Sequence, residues 1–134
     1  MSASEELQKL IYDRLVADPN VHAEIAGRIY DRTPQNVVHP YASFGPADQV
    51  EDDDECVTGF VETLQIDVWS QYQGGKREAK RIADAIRKSL HEYAGELTEN
   101  ALFEMRVLTV RHLDDPDGIT SHSIVTVESR VETA

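Results

Sequence analysis

Cysteine, serine and histidine are the residue types that could carry covalent or acid–base chemistry here, and none is placed as such chemistry requires. Cys56 is the single cysteine, and it follows Asp54 and Glu55, whose negative charge disfavours the reactive thiolate. The Ser-His-Ser run at 121–123 lies on a predicted strand, where successive side chains point to opposite faces. Carboxylates are plentiful, but no pattern places two of them around a substrate. The sequence therefore predicts that the protein is not an enzyme.

Three further patterns resemble ligand sites. His112, Asp114 and His122 would meet across a hairpin of suitable register and could bind zinc, although surface histidines also face each other by chance. The acids at 51–55 lack the alternating spacing and the glycine of an EF-hand calcium loop. Gly-Gly-Lys at 74–76 lacks the first glycine and the hydroxyl residue of a phosphate loop, so it predicts a turn and a helix start. We predict no cofactor and no metal, with zinc as the open alternative.

Two stretches have the apolar spacing of helices that pack on one side. The first begins near residue 3, where Ser2 and Glu5 have the spacing of a capping box, and it ends at the Asp-Pro-Asn sequence 18–20. A short turn is predicted over 21–26. The second helix covers 76–93, and its apolar stripe consists of Ala79, Ile82, Ala83, Ile86 and Leu90.

The β-prone runs are 28–30, 40–44, 60–70, 102–113 and 119–131. In the third run Leu64, Ile66 and Val68 fall on the face predicted to meet the core, and Trp69 falls on the other. The Asp-Asp-Pro-Asp-Gly sequence joins the last two runs and predicts a hairpin. Leu108 and Val110 are out of phase with the apolar residues before them. Either a β-bulge shifts the register or both faces are covered.

Residues 45–59 contain many acids and neither lysine nor arginine, and we predict a flexible loop there. Its acids are Asp48, Glu51, Asp52, Asp53, Asp54 and Glu55. The order of elements predicts an α+β fold, a single domain over 1–134 whose antiparallel sheet of about four strands carries two helices on one face. The other face is then polar or covered by a neighbour. Trp69 either lies in a partner interface, where aromatic residues are enriched, or packs under a loop.

Composition excludes several classes of function. The chain has 134 residues, 40% of them hydrophobic, and a formal net charge of −12. This charge argues against binding to nucleic acid through a basic surface. No apolar run approaches the ~20 residues of a membrane span, and the first residues do not have the pattern of a signal peptide. What remains is an assembly or binding protein. We predict its subunit or partner interface at Trp69, Leu108, Val110 and the six loop acids.

Several segments, taken in order, are similar to the tail-completion or tail-terminator proteins of long-tailed phages, prophages and gene transfer agents. They are the helix at 7–15, Gly-Arg-Ile-Tyr-Asp at 27–31, Pro-Tyr-Ala-Ser-Phe-Gly at 40–45, Leu-Gln-Ile-Asp-Val-Trp-Ser at 64–70, the Glu-Ala-rich helix at 78–86 and the turn at 114–118. The resemblance covers nearly the whole chain, and the ordered set is more specific than any single segment. The acidic segment 45–59 departs from the family in length and charge.

The resemblance implies a structural protein of the virion tail or neck, assembled in the host cytoplasm and without catalytic residues. It also implies that the subunits form a ring, commonly a hexamer, that caps the tail tube and joins it to the head-side connector protein. DNA would then pass through the centre without specific binding. The acidic segment would then line the channel or contact a neighbouring ring. Two other classes remain open: a monomeric acidic adaptor that mimics DNA, and a small metal-dependent hydrolase.

Overall fold

A computed structural model describes residues 1–53 and 58–133, and these residues form three helices and five strands. In chain order the elements are α1 (Ala3–Ala17), α2 (Pro19–Ile25), β1 (Ile29–Tyr30), β2 (Tyr41–Glu51), β3 (Gly59–Ser70), α3 (Arg77–Leu90), β4 (Ala101–Asp114) and β5 (Ser121–Glu132). The predicted α+β class is confirmed. The predicted number of elements is corrected, because there is a third helix and a fifth strand.

The ends of the first two helices are set by short polar side chains and a proline. The Ser2 hydroxyl accepts a hydrogen bond of 3.1 Å from the backbone N–H of Glu5 and caps α1. The Asp18 carboxylate caps α2, which carries Pro19 in its first turn. With this second cap a helix forms over Pro19–Ile25, where the sequence predicted only a short turn over 21–26. None of the described helices is long and apolar enough to cross a membrane.

The strands form one mixed sheet in the order β1-β2-β3-β5-β4. β1 runs parallel to β2, whereas the other pairs are antiparallel, so the prediction of a purely antiparallel sheet is corrected. The predicted hairpin is confirmed as β4 and β5. Its register shifts between Leu102 and Glu104 and again between Val107 and Thr109. β-Bulges therefore explain the change of apolar phase along β4.

The helices and one face of the sheet share a single hydrophobic core. The apolar stripe predicted for α3 is buried, and the other buried residue of this helix besides the stripe is Ser89. Leu64, Ile66 and Val68 of β3 are buried as predicted, and alternate residues of β5 lie on the same side. Burying a side chain of this size contributes about 1.5–3 kcal/mol. We call this side of the sheet the helix face.

The acidic segment 45–59 is not a loop throughout its described length. β2 continues to Glu51 and stays paired with β3, after a register shift between Phe44 and Ala47. The pairing gives the backbone groups that face β3 their hydrogen-bond partners, so the polar side chains can stand in solvent on a strand. The sequence interpretation ended the strand too early because it relied on apolar content. Asp54, Glu55 and Cys56 lie outside the described residues, and we call residues 47–53 the acidic arm.

Candidate assembly surfaces

Within the described residues, the three helices leave the second face of the sheet without a helical cover, and we call it the open face. Trp69 lies on this face, as predicted. Its ring stacks on His122, with centroids 3.8 Å apart and planes at 11°, and it also stacks on Tyr41 at 6.5 Å. The indole N–H donates a hydrogen bond of 3.1 Å to the hydroxyl of Ser43. Neighbouring strands therefore hold Trp69, and part of its surface remains exposed.

A buried acid anchors this aromatic cluster. Asp67 is 6% exposed, and its Oδ1 lies 2.6 Å from Nε2 of His122. The same oxygen accepts a hydrogen bond of 2.8 Å from the side-chain amide of Gln65. Burial, together with the charge of Asp67, raises the pKa of Tyr41. We call the rings of Tyr41, Trp69 and His122 the aromatic platform. Hydrogen bonds to Ser43 and Asp67 hold the rings in place, and aromatic surface of this kind suits a contact with another protein.

The opposite end of the open face carries ion pairs instead of rings. Arg106 lies 3.2 Å from Glu104 on its own strand and 3.6 Å from Glu128 on the neighbouring strand β5. Arg130 reaches the far end of the acidic arm and pairs with Asp52 at 3.2 Å. These are exposed or half-exposed pairs, each worth about 0–1 kcal/mol, so they shape the charge of the surface more than its stability.

The acidic arm is exposed on both faces of the sheet. The side chains of Asp48, Glu51, Asp52 and Asp53 are all exposed, and Val50 is 65% exposed. Asp53 accepts a hydrogen bond of 3.1 Å from the backbone of Gly59. Asp48 and Glu51 have no ion-pair partner among the described residues. The arm thus presents uncompensated negative charge together with an exposed valine.

The structure separates Leu108 and Val110, which were predicted as interface residues on β4. Leu108 lies at a β-bulge and is 42% exposed, whereas Val110 points to the helix face and packs against the core. β4 forms one edge of the sheet. Part of this edge is covered, because Glu92 donates its backbone N–H to the carbonyl of Met105 and His91 Nδ1 accepts from the backbone of Val107.

Glu6 is a structural residue that the sequence interpretation missed. It is 6% exposed, and its carboxylate accepts backbone hydrogen bonds from Thr98, Glu99 and Asn100. It also accepts one from the side-chain amide of Asn100. Burial alone would raise the pKa of Glu6, but these hydrogen bonds lower it. A signal was present, because Glu6 lies one turn before Leu10 on the apolar side of α1.

The proposed zinc site is wrong. In the observed register His112 pairs with Ser123 and Leu113 pairs with His122, so the two histidines lie on opposite faces. His112 Nδ1 is 2.7 Å from the Ser123 hydroxyl, and burial together with nearby Lys80 lowers its pKa. Over residues 1–53 and 58–133, no group of three or more His, Cys, Asp or Glu side chains is arranged to hold a metal ion.

Comparison with known proteins identifies the relatives of this chain. The family described as "Tail completion protein gp17" matches residues 9–132. A chain in the structure titled "Virion of native gene transfer agent (GTA) particle" is 24% identical and superposes with a TM-score of 0.90 over 98% of both chains. The structure of bacteriophage SPP1 gp17 protein is 18% identical, with a TM-score of 0.59 over 95% of this chain and 89% of that one. No curated protein sequence matches the chain.

Proposed function

Because the chain belongs to the tail completion protein gp17 family, a family of structural virion proteins, we propose that it forms a ring at the head-side end of a tail tube. The ring is a hexamer that caps the tube and joins it to the head–tail connector protein. The observation that carries this proposal is the family match over residues 9–132, which includes every described strand and helix except the first turns of α1. The chain is thus a component of the tail or neck of a virion.

The surfaces of the fold support an assembly role. A ring subunit needs at least two contact surfaces for its neighbours and further ones for the tube and the connector. The chain offers the aromatic platform around Trp69, the exposed acidic arm and the free edge of β4. The comparison chain has the same fold, and it belongs to the virion of a gene transfer agent particle.

The charge of the chain fits a channel through which DNA passes. Each copy carries a formal charge of −12, and a ring of six carries six times that charge. Basic walls bind phosphates through the release of counterions, whereas acidic walls do not hold them. We therefore expect DNA to move through the ring without specific binding.

The proposal is tested by producing particles without this protein. We expect filled heads and finished tails that remain separate, and addition of the purified wild-type chain should restore joined particles. Electron microscopy of negatively stained lysates counts the joined fraction. A joined fraction equal to that of the wild type in the absence of the protein would contradict the proposal and favour a role as a monomeric acidic adaptor.

A further inference from the structure

The sheet has two open edges, one on each side of the molecule. β1 pairs with β2 only at Ala42 and Ser43, so among the described residues the outer edge of β2 has no strand partner over 45–51. On the other side, residues 91–92 cover β4 only at Met105 and Val107, and no other described segment hydrogen-bonds its outer edge over 108–113. Unpaired strand edges are templates for pairing with another chain.

The two edges are complementary in charge. Asp48 and Glu51 on the β2 edge are exposed and have no ion-pair partner among the described residues. Beside the β4 edge, Arg111 and Lys80 are exposed, and neither has an ion-pair partner in the part of the chain that the structure describes. Opposite charges of this kind suppress wrong contacts and fix the register of a joint.

The charged side chains beside the two edges also lie on matching faces of the sheet. Asp48 pairs with Thr63 and Arg111 pairs with Ile124, so both charged side chains lie on the open face. On the helix face, Lys80 lies near His112 and adds positive charge beside the β4 edge. In a continuous sheet, side chains on one face of a strand neighbour those on the same face of the next strand. Joining the two edges therefore brings the opposite charges of Asp48 and Arg111 together on the open face.

The strand directions are also compatible with a joint between the two edges. β3 runs antiparallel to both β2 and β5, and β5 runs antiparallel to β4, so β2 and β4 point in opposite directions within the sheet. Rotation about a ring axis brings the β2 edge of one copy to the β4 edge of the next, and the joint is then antiparallel. A contact between two different surfaces repeats head to tail, and it closes into a ring when the rotation between neighbouring copies divides a full turn.

We propose that residues 47–51 on the outer edge of β2 pair with residues 108–113 on the outer edge of β4 in the next copy of this chain. Asp48 and Arg111 meet across the joint on the open face, where Val50 and Leu113 also lie. A second copy is the occupant because the two edges of one molecule match in charge, face and direction. The proposal rests on the proposed function, since it supplies the contact within the ring.

A charge exchange tests the joint. Asp48→Arg and Arg111→Asp are each expected to reduce the yield of joined particles at least about tenfold, because each places like charges together in the joint. The double variant exchanges the two charges and is expected to restore at least half of the wild-type yield. Both positions are exposed, so thermal unfolding of each purified variant should match the wild type. Failure of the double variant to exceed the single variants would overturn the proposal.

Disulfide cross-linking gives a second readout in particles. In a Cys56→Ser background, the pair Asp48→Cys with Arg111→Cys tests the proposed register, and the pair Val50→Cys with Arg111→Cys tests a joint shifted by two residues. Within one chain β2 and β4 are separated by β3 and β5, about 14 Å apart, which exceeds the reach of a disulfide. Oxidation is expected to give a ladder of covalent multimers from at least one pair. The control pair, Thr63→Cys with Arg111→Cys, should give monomers because Thr63 lies on an inner strand.

The outcomes separate this proposal from the proposed function. Multimers from the edge pairs, together with rescue by the charge exchange, support the joint. A ring visible in the neck of the particles, but no multimers from either edge pair, overturns the joint and leaves the proposed function standing. Particles that contain the protein but no ring overturn both.

Discussion

Replacing Glu6 by glutamine is expected to lower the melting temperature of the purified protein by roughly 5–15 °C at neutral pH. Glu6 Oε2 accepts hydrogen bonds from the backbone of Thr98 at 2.6 Å and of Glu99 at 2.9 Å, and Oε1 accepts two more from Asn100. A glutamine has one carbonyl oxygen, so its NH₂ group must face donors at one of these two positions. The substitution therefore leaves buried donors without an acceptor.

The effect of Glu6 depends on pH in a direction that can be worked out. Its folded-state pKa is lowered by hydrogen bonds from Glu99 and its neighbours, which outweigh the opposing effect of burial. A carboxylate with a depressed pKa stabilises the fold above the unfolded value of about 4.3, and this contribution is lost as the pH falls through the folded value. The difference in melting temperature between the wild type and Glu6→Gln should accordingly shrink in acid.

The neighbouring residue provides a matched control for this measurement. Glu5 is exposed on the same turn of α1, and only its backbone N–H takes part in the cap. Glu5→Gln should therefore melt within about 2 °C of the wild type, as surface substitutions usually do. Equal melting temperatures for Glu6→Gln and Glu5→Gln would contradict the role assigned to Glu6.

Replacing Trp69 by alanine is expected to reduce the yield of joined particles at least about tenfold, which is the loss typical of an aromatic anchor at an interface. The monomer should stay folded. It loses the stacking on His122 and Tyr41 and the hydrogen bond to Ser43, which we expect to cost about 1–3 kcal/mol of folding stability. Circular dichroism with urea unfolding measures the stability, and particle counts measure the joining.

A control variant with a similar loss of folding stability separates the effect of Trp69→Ala on folding from its effect on particle joining. Val127 is 1% exposed on the helix face of β5, so Val127→Ala destabilises the core without altering the open face. Val127→Ala should join heads and tails at a yield close to wild type. If Trp69→Ala unfolds the monomer, or if both variants join particles equally well, Trp69 is a packing residue and not a contact.

The elements that could be predicted from the sequence are those whose signal is local. The apolar stripe of α3 and the alternation in β3 depend on residues three or four apart and two apart, and both are buried as predicted. The hairpin of β4 and β5 follows from its turn residues, with the Asp115 N–H bonded to the Thr120 carbonyl at 2.9 Å. Trp69, which we predict to lie in an interface, was placed on the correct face for the same reason.

The features that were missed depend on partners distant in sequence. The polar half of β2 is a strand because its backbone is hydrogen-bonded to β3. The side chains of this half do not predict that pairing. Glu6 is bound by a segment more than 90 residues away. The zinc prediction failed because the turn between β4 and β5 sets a register in which His112 lies opposite Ser123 and not opposite His122. Sequence spacing cannot fix that offset.

The central claim is that this chain forms the ring that joins a tail tube to its head. Electron cryomicroscopy of joined particles, with the density of the neck averaged and fitted with this fold, tests the claim most directly. We expect six copies in one closed ring between the last ring of the tube and the connector. Absence of this fold from the neck, or its presence there as single unconnected copies, would contradict the account.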